Sequence, residues 1–117
     1  MNQVFSQQSV LVVGLGESGL AMARWLHRQG ATLRVVDTRS APERLPQLQS
    51  LVGDCHFVGG AFDAQSLEGV DLVVVSPGLA PQGELAVLLQ KADELEIPVW
   101  GEVALFAHAL AQLKTET

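Results

Sequence analysis

The segment VLVVGLGESGLA, residues 10–21, restricts the possible folds of this chain more than any other stretch. Four apolar residues run into glycines spaced G-x-G-x-x-G, at Gly14, Gly16 and Gly19, and a second apolar run, LRVVDTRS at 33–40, carries Asp37 eighteen positions after the last glycine. A strand followed by that spacing predicts a tight turn into a helix. Gly14 permits the turn, Gly16 removes a Cβ that would hold a ligand off the backbone, and Gly19 lets the helix lie close to the strand. The amides of Glu17 and Ser18 then stand at a helix N-terminus, where unsatisfied N–H groups and the macrodipole favour an anion, and Ser18 adds a hydroxyl donor. The Glu17 carboxylate would repel a diphosphate, so its backbone is expected to serve while its side chain points to solvent. Such spacing is common in loops, but the strand before, the helix after and the acid at the expected distance favour phosphate binding over a structural turn.

Beyond this motif the apolar runs alternate with helical patterns. Residues 9–14, 32–37, 55–59, 70–76 and 97–101 are short, rich in valine, leucine and isoleucine, and bounded by turn residues, as buried parallel strands are. Residues 17–30 place Leu20, Met22, Ala23, Trp25 and Leu26 at helical spacing with Gly30 as the stop; 84–95 and 102–113 repeat the pattern, and weaker helical signals lie at 43–52 and 63–68. The predicted fold is α/β: a doubly wound, Rossmann-like, parallel five-stranded sheet with helices on both faces, forming a single domain.

A chain of 117 residues that is 48% hydrophobic and 17% charged has room for one core, assigned to residues 9–112 with a tail at 113–117. The start MNQVFSQQS lacks the basic and apolar regions of a signal peptide, and no apolar run reaches membrane-spanning length, so a cytoplasmic location is expected. Cys55 has no second cysteine to pair with. A net charge of −6 argues against nucleic acid or an anionic membrane as partner. Residues 1–44 nevertheless carry a balance of +2, with all five arginines, so the cationic third is the one containing the glycine loop. For Arg24 and Arg28 a solvated helix surface is the preferred reading.

Asp37 divides two ligands. It could accept hydrogen bonds from the ribose hydroxyls of NAD. Its neighbours suit that less well, because Arg39 resembles a contact to a 2′-phosphate that Asp37 would oppose. A uracil edge, an N–H flanked by carbonyls, matches a carboxylate, the Thr38 hydroxyl and backbone amides, with the Arg39 guanidinium over the ring or on the ribose. A turn opened by Asp37 and Thr38 is the remaining alternative. On the fourth strand, VVVSPGL puts Ser76, Pro77 and Gly78 at the crevice where the winding reverses.

Taken in order, VVGLGESGLAMARWL, VVDTRS, VVVSPGL and IPVWGEVALF resemble the N-terminal domain of the D-glutamate-adding Mur ligases of bacterial peptidoglycan synthesis, over about residues 9–112. The four motifs together are far more specific than any one. The resemblance implies a domain that holds the uridine diphosphate of UDP-N-acetylmuramoyl-L-alanine. Gly14, Gly16, Glu17, Ser18 and Gly19 would form the diphosphate loop, Asp37, Thr38 and Arg39 the uracil and ribose site, and Ser76, Pro77 and Gly78 the sugar side. Three positions depart from the family pattern: Glu17 and Ser18 replace an apolar residue and threonine, and Gly83 stands where proline is common.

The family reaction uses ATP and Mg2+ to activate the alanyl carboxylate for attack by D-glutamate, and the resemblance assigns those parts to central and C-terminal domains. The sequence holds no G-x-x-x-x-G-K-[ST]. The chain is therefore expected to be an excised domain that binds nucleotide without catalytic residues, a metal or a cofactor of its own, and whose partners include the missing domains. The alternative is the NAD(P)-binding domain of an oxidoreductase, which would need a further mononucleotide half; a regulatory nucleotide sensor is a third reading. His27, His56 and His108 are spaced too widely for a local ligand cluster, Cys55 and His56 point to opposite strand faces, and Glu102 suits a helix dipole. Trp25 and Trp100 are expected in core or interdomain contacts. Asp37→Ala is expected to weaken uridine binding more than diphosphate binding.

Overall fold

Strand β1, Ser9–Val13, has no polar residue after Ser9, and it can be so apolar because it is covered on every side. In the computed structural model, which describes residues 8–37, 43, 45–51, 56–60, 62, 64–76, 83–107 and 110, β1 lies at the centre of a five-stranded sheet. Its neighbours are β2 (Thr32–Asp37) and β4 (Leu72–Val75); β3 (His56–Gly59) and β5 (Val99–Gly101) form the edges. All four pairings are parallel, with Val10 opposite Leu33 on one side and Leu72 on the other. The order β3-β2-β1-β4-β5 reverses its winding between β1 and β4, as the doubly wound expectation requires.

Alternation along β1 sends side chains into two cores. Val10 and Val12 join Leu33, Val35, Leu72 and Val74 against Met22, Ala23 and Leu26 of α1 (Glu17–Arg28) and Leu48 of α2 (Leu45–Leu51). Leu11 and Val13 join Val36 and Val73 against Leu85, Leu88 and Ala92 of α3 (Glu84–Glu94) and Leu67. Residues 102–107 and 110 are helical after β5. They close the first core, where Leu105 is buried and Phe106 meets Trp25 edge-on with ring centroids 6.1 Å apart. Trp100 also packs against this core. The radius of gyration, 13.6 Å, is that of one domain of this size.

The observed boundaries trim the sequence-based ones at physical stops. Gly14 leaves β1 with φ +91°, outside strand geometry. After α1, Gly30 has φ +86°, and its N–H and that of Ala31 donate to the carbonyls of His27 and Leu26, a Schellman closure. The helical signal at 63–68 resolves as a 3-10 helix, Ala64–Leu67, a short element among the described residues between β3 and β4. Arg34 anchors this element. It points from β2 to the same face, and its Nη1 donates to the carbonyls of Ser66 at 2.6 Å and Glu68 at 3.1 Å, capping the turn. Cys55, His108 and residues 111–113 lie outside the described residues.

The end of α3 repeats the Schellman bonds without a glycine. Glu96 occupies the left-handed position at φ +60°, while its N–H bonds Asp93 and that of Ile97 bonds Ala92. An L-residue there costs about 1–2 kcal/mol, partly offset by the greater unfolded-state entropy of glycine. Glu96→Gly should therefore raise unfolding free energy by roughly 0.5–1 kcal/mol in urea denaturation; a loss of stability would contradict this account of the turn.

Candidate functional site

The loop from β1 to α1 is fixed by its backbone. Gly14 N–H extends the β1–β2 ladder to Val36 O at 2.8 Å, and the first helical bond of α1 runs from Leu20 N–H to Gly16 O at 3.0 Å. The amides of Glu17, Ser18 and Gly19 therefore precede the intrahelical ladder and face outward from the positive end of a twelve-residue helix. Gly16 caps this helix without a side-chain hydrogen bond, and a Cβ built on it would meet no atom of the described residues within 4 Å. No described side chain covers the backbone at this point. Glu17 is exposed, its carboxylate in solvent, and Ser18 is half-buried.

Gly19 is the opposite case. A Cβ there would overlap the Gly14 carbonyl oxygen and come within 2.8 Å of Ser76 Oγ, so α1 approaches the end of β1 closer than any side chain permits. This contact sets the height of the helix N-terminus above the sheet.

Two side chains from neighbouring strand tips converge on the same turn. Asp37, the last residue of β2, is 4% exposed, and its Oδ2 accepts the Leu15 N–H at 2.8 Å. Ser76, directly after β4, is 7% exposed, and its hydroxyl donates to Gly14 O at 2.7 Å while its own N–H bonds Val13 O. A carbonyl can only accept, so the Ser76 proton is committed and its lone pairs are what the hydroxyl retains for anything else. These are the two buried polar side chains among the described residues, and no buried side-chain polar atom there lacks a partner. The Leu15 amide as partner of Asp37 was not anticipated from sequence. It is a main-chain donor, so residue identity carries no signal for it.

Thr38, Arg39, Pro77 and Gly78 lie outside the described residues. The cationic bias of the first third does not gather at the loop within the described part: Arg24 and Arg28 are exposed on the second half of α1, and Arg34 serves the 3-10 helix. The anion-attracting feature here is the helix terminus itself. His27 and His56 are exposed, and the described residues contain no group of three His, Cys, Asp or Glu side chains placed to hold a metal. Glu102 opens the closing helix and is half-buried. Gly83, at φ +59°, caps α3 in a conformation proline cannot adopt.

Two hollows flank the 3-10 helix. One, of about 300 Å³, is lined by residues including Arg34, His56 and Glu68; the other, of about 520 Å³, by residues including Leu67, Leu95 and Ile97 at the amino ends of the strands. Neither is lined by the glycine loop. In an open parallel sheet the ligand crevice lies beyond the carboxyl ends where winding reverses, which here is beyond the tips of β1 and β4, next to the glycine loop that leaves β1.

Comparison with known proteins bears on this geometry. A family model described as "Mur ligase MurD-like, N-terminal domain" matches residues 8–101. UDP-N-acetylmuramoylalanine–D-glutamate ligase of Ralstonia nicotianae is 59% identical over 106 residues, covering 90% of this chain and 21% of that protein. The enzyme of the same name from Cupriavidus pinatubonensis is 52% identical over 109 residues, covering 92% and 22%. The chain thus spans about a fifth of the length of these relatives. Among solved structures, the precorrin-2 dehydrogenase SirC superposes with a TM-score of 0.57 at 19% identity, covering 85% of this chain and 46% of SirC. N5-carboxyaminoimidazole synthetase from Staphylococcus aureus, complexed with ADP, gives 0.53 at 20%, covering 78% and 24%. At such identities the likeness is one of fold.

The contrast between two glycines gives a prediction. Gly19→Ala forces α1 away from Gly14 and should cost about 1–3 kcal/mol, as overpacking does. Gly16→Ala meets no described residue, and its cost should stay below about 1 kcal/mol, the difference between glycine and alanine as helix caps. Urea denaturation of both variants checks the order; equal losses would contradict the close approach at Gly19.

Proposed function

The chain belongs to the Mur ligase family, as a MurD-like N-terminal domain, and from that premise we propose that it holds the uridine diphosphate of UDP-N-acetylmuramoyl-L-alanine for a ligase that adds D-glutamate to it in peptidoglycan synthesis. The observation that carries this reading is the N-terminus of α1 directly after β1, at the carboxyl end of the sheet, where no described residue lies within 4 Å of a Cβ built on Gly16. The amides of Gly16, Glu17 and Ser18 would donate to the diphosphate, where their fixed dipoles act without reorganising. Asp37 stands at the adjacent strand tip, on the side from which Thr38 and Arg39 continue, and these three would take the uracil and ribose. Ser76, followed by Pro77 and Gly78, would border the sugar side across the crevice.

The role of this chain is thus to bind and orient. In the reaction we propose for the complete enzyme, ATP and Mg2+ supply activation of the alanyl carboxylate for attack by the D-glutamate amine. The described residues do not fit that pair of ligands. Lys91 lies exposed on α3, 3.7 Å from Glu94, and the sequence has no G-x-x-x-x-G-K-[ST] to wrap a triphosphate. No catalytic step is assigned to this chain, and its catalytic partners would be the other domains of the same protein, in the cytoplasm.

Amide-detected NMR titration of the 117-residue chain separates this reading from a redox dinucleotide site. UDP and UDP-N-acetylmuramoyl-L-alanine should shift the amides of residues 16–19, with NAD and NADP weaker; shifts confined to NAD and NADP would overturn it. Gly16→Ala should lower UDP affinity by about tenfold or more, because a methyl group occupies the diphosphate's approach to the backbone.

A further inference from the structure

Asp37 and Ser76 bind opposite ends of one peptide unit. The carbonyl of Gly14 and the N–H of Leu15 belong to the same planar group, and Ser76 Oγ donates to the first at 2.7 Å while Asp37 Oδ2 accepts from the second at 2.8 Å. The two bonds arrive from strands on either side of β1. Gly14 is the residue about which this group could most easily rotate, since glycine at φ +91° has alternative basins that other residues lack. Both buried polar side chains among the described residues bond this group.

We propose that Asp37 and Ser76 are positioning residues: by gripping the Gly14–Leu15 peptide unit from both sides, they set the direction in which the chain enters α1 and so preform the amide cradle for the diphosphate. The proposal rests on the diphosphate reading above and adds a role to each residue. For Asp37 it changes the expected behaviour of variants. Removing its side chain releases the Leu15 N–H, and therefore impairs the diphosphate site as well as any nucleoside contact. Asparagine keeps one carbonyl oxygen for that N–H. Ser76→Ala releases the Gly14 carbonyl and leaves it buried without its donor.

Two measurements test it on the 117-residue chain. Hydrogen exchange of the Leu15 amide, taken relative to that of Val12 in the middle of β1, should quicken by about tenfold or more in Ser76→Ala and Asp37→Ala, in line with the loss of one buried hydrogen bond, and stay near the parent value in Asp37→Asn. Unchanged relative exchange in both alanine variants would overturn the proposal, whether or not any ligand binds. In parallel, affinities for inorganic pyrophosphate, UDP and uridine are measured by calorimetry. Ser76→Ala should weaken pyrophosphate and UDP by a common factor of roughly ten and leave uridine alone. Asp37→Ala should bind pyrophosphate more weakly than Asp37→Asn, a comparison in which the charge is removed from both and asparagine keeps the acceptor for the Leu15 N–H. Equal pyrophosphate affinity in those two variants, both folded, would overturn the positioning role. Failure of the parent chain to bind pyrophosphate or UDP would instead overturn the diphosphate reading, leaving the grip on the peptide unit to be decided by the exchange data.

Discussion

The turn that follows the central strand is held by a hydrogen-bonded peptide group, and the rest of the candidate site depends on it. A loop of glycines is by itself a poor scaffold, because each glycine brings several backbone basins and a large entropy on ordering. Here that freedom is removed from three directions. The Gly14 N–H completes the β1–β2 ladder, the Gly14 carbonyl takes the Ser76 hydroxyl, and the Leu15 N–H takes the Asp37 carboxylate. Leu15 adds a fully buried side chain to the core beneath α1. The cradle keeps the permissive geometry of glycine while the packing around it supplies the rigidity that glycine lacks.

The same economy of contacts accounts for the contrast between Gly16 and Gly19. Both precede or open α1, yet one meets no described residue and the other lies against the Gly14 carbonyl and Ser76. The first leaves backbone amides uncovered by the described residues; the second brings the start of the helix against the end of β1. An anion site at a helix terminus needs both, because donors that are approachable but misplaced have no acceptor within reach, and donors that are well placed but covered cannot be used.

Much of this was legible in the residues. The apolar runs predicted five strands, and the Gly14, Gly16, Gly19 spacing predicted the turn, the helix start and the close packing, because each depends on a residue type with few substitutes. Gly30 marked the end of α1 for the same reason. The crossover at Ala64–Leu67 was less legible: its short apolar pattern suits several helical forms, and what decides between them is Arg34, thirty residues earlier, reaching its carbonyls. Glu96 gave no sign of a left-handed turn, since glutamate rarely takes one and tertiary packing imposes it. At the site, Asp37 and Ser76 were identifiable as polar residues at strand tips, but their partners were main-chain atoms. Sequence can nominate a carboxylate and a hydroxyl; only the assembled sheet shows that they meet across a single peptide group.

The bond from Ser76 to Gly14 spans 62 residues, whereas the loop itself lies within the first twenty. Closing so long a stretch of chain costs entropy that only the parallel pairing of β4 with β1 can offset, and such distant pairings form slowly. During synthesis the glycine turn and most of α1 therefore leave the ribosome long before the hydroxyl that orients them exists. A truncated chain ending short of that serine would carry the whole glycine signature and yet lack one of the bonds that orient the turn, so the signature marks where the candidate site begins and the fourth strand marks when its backbone is fixed.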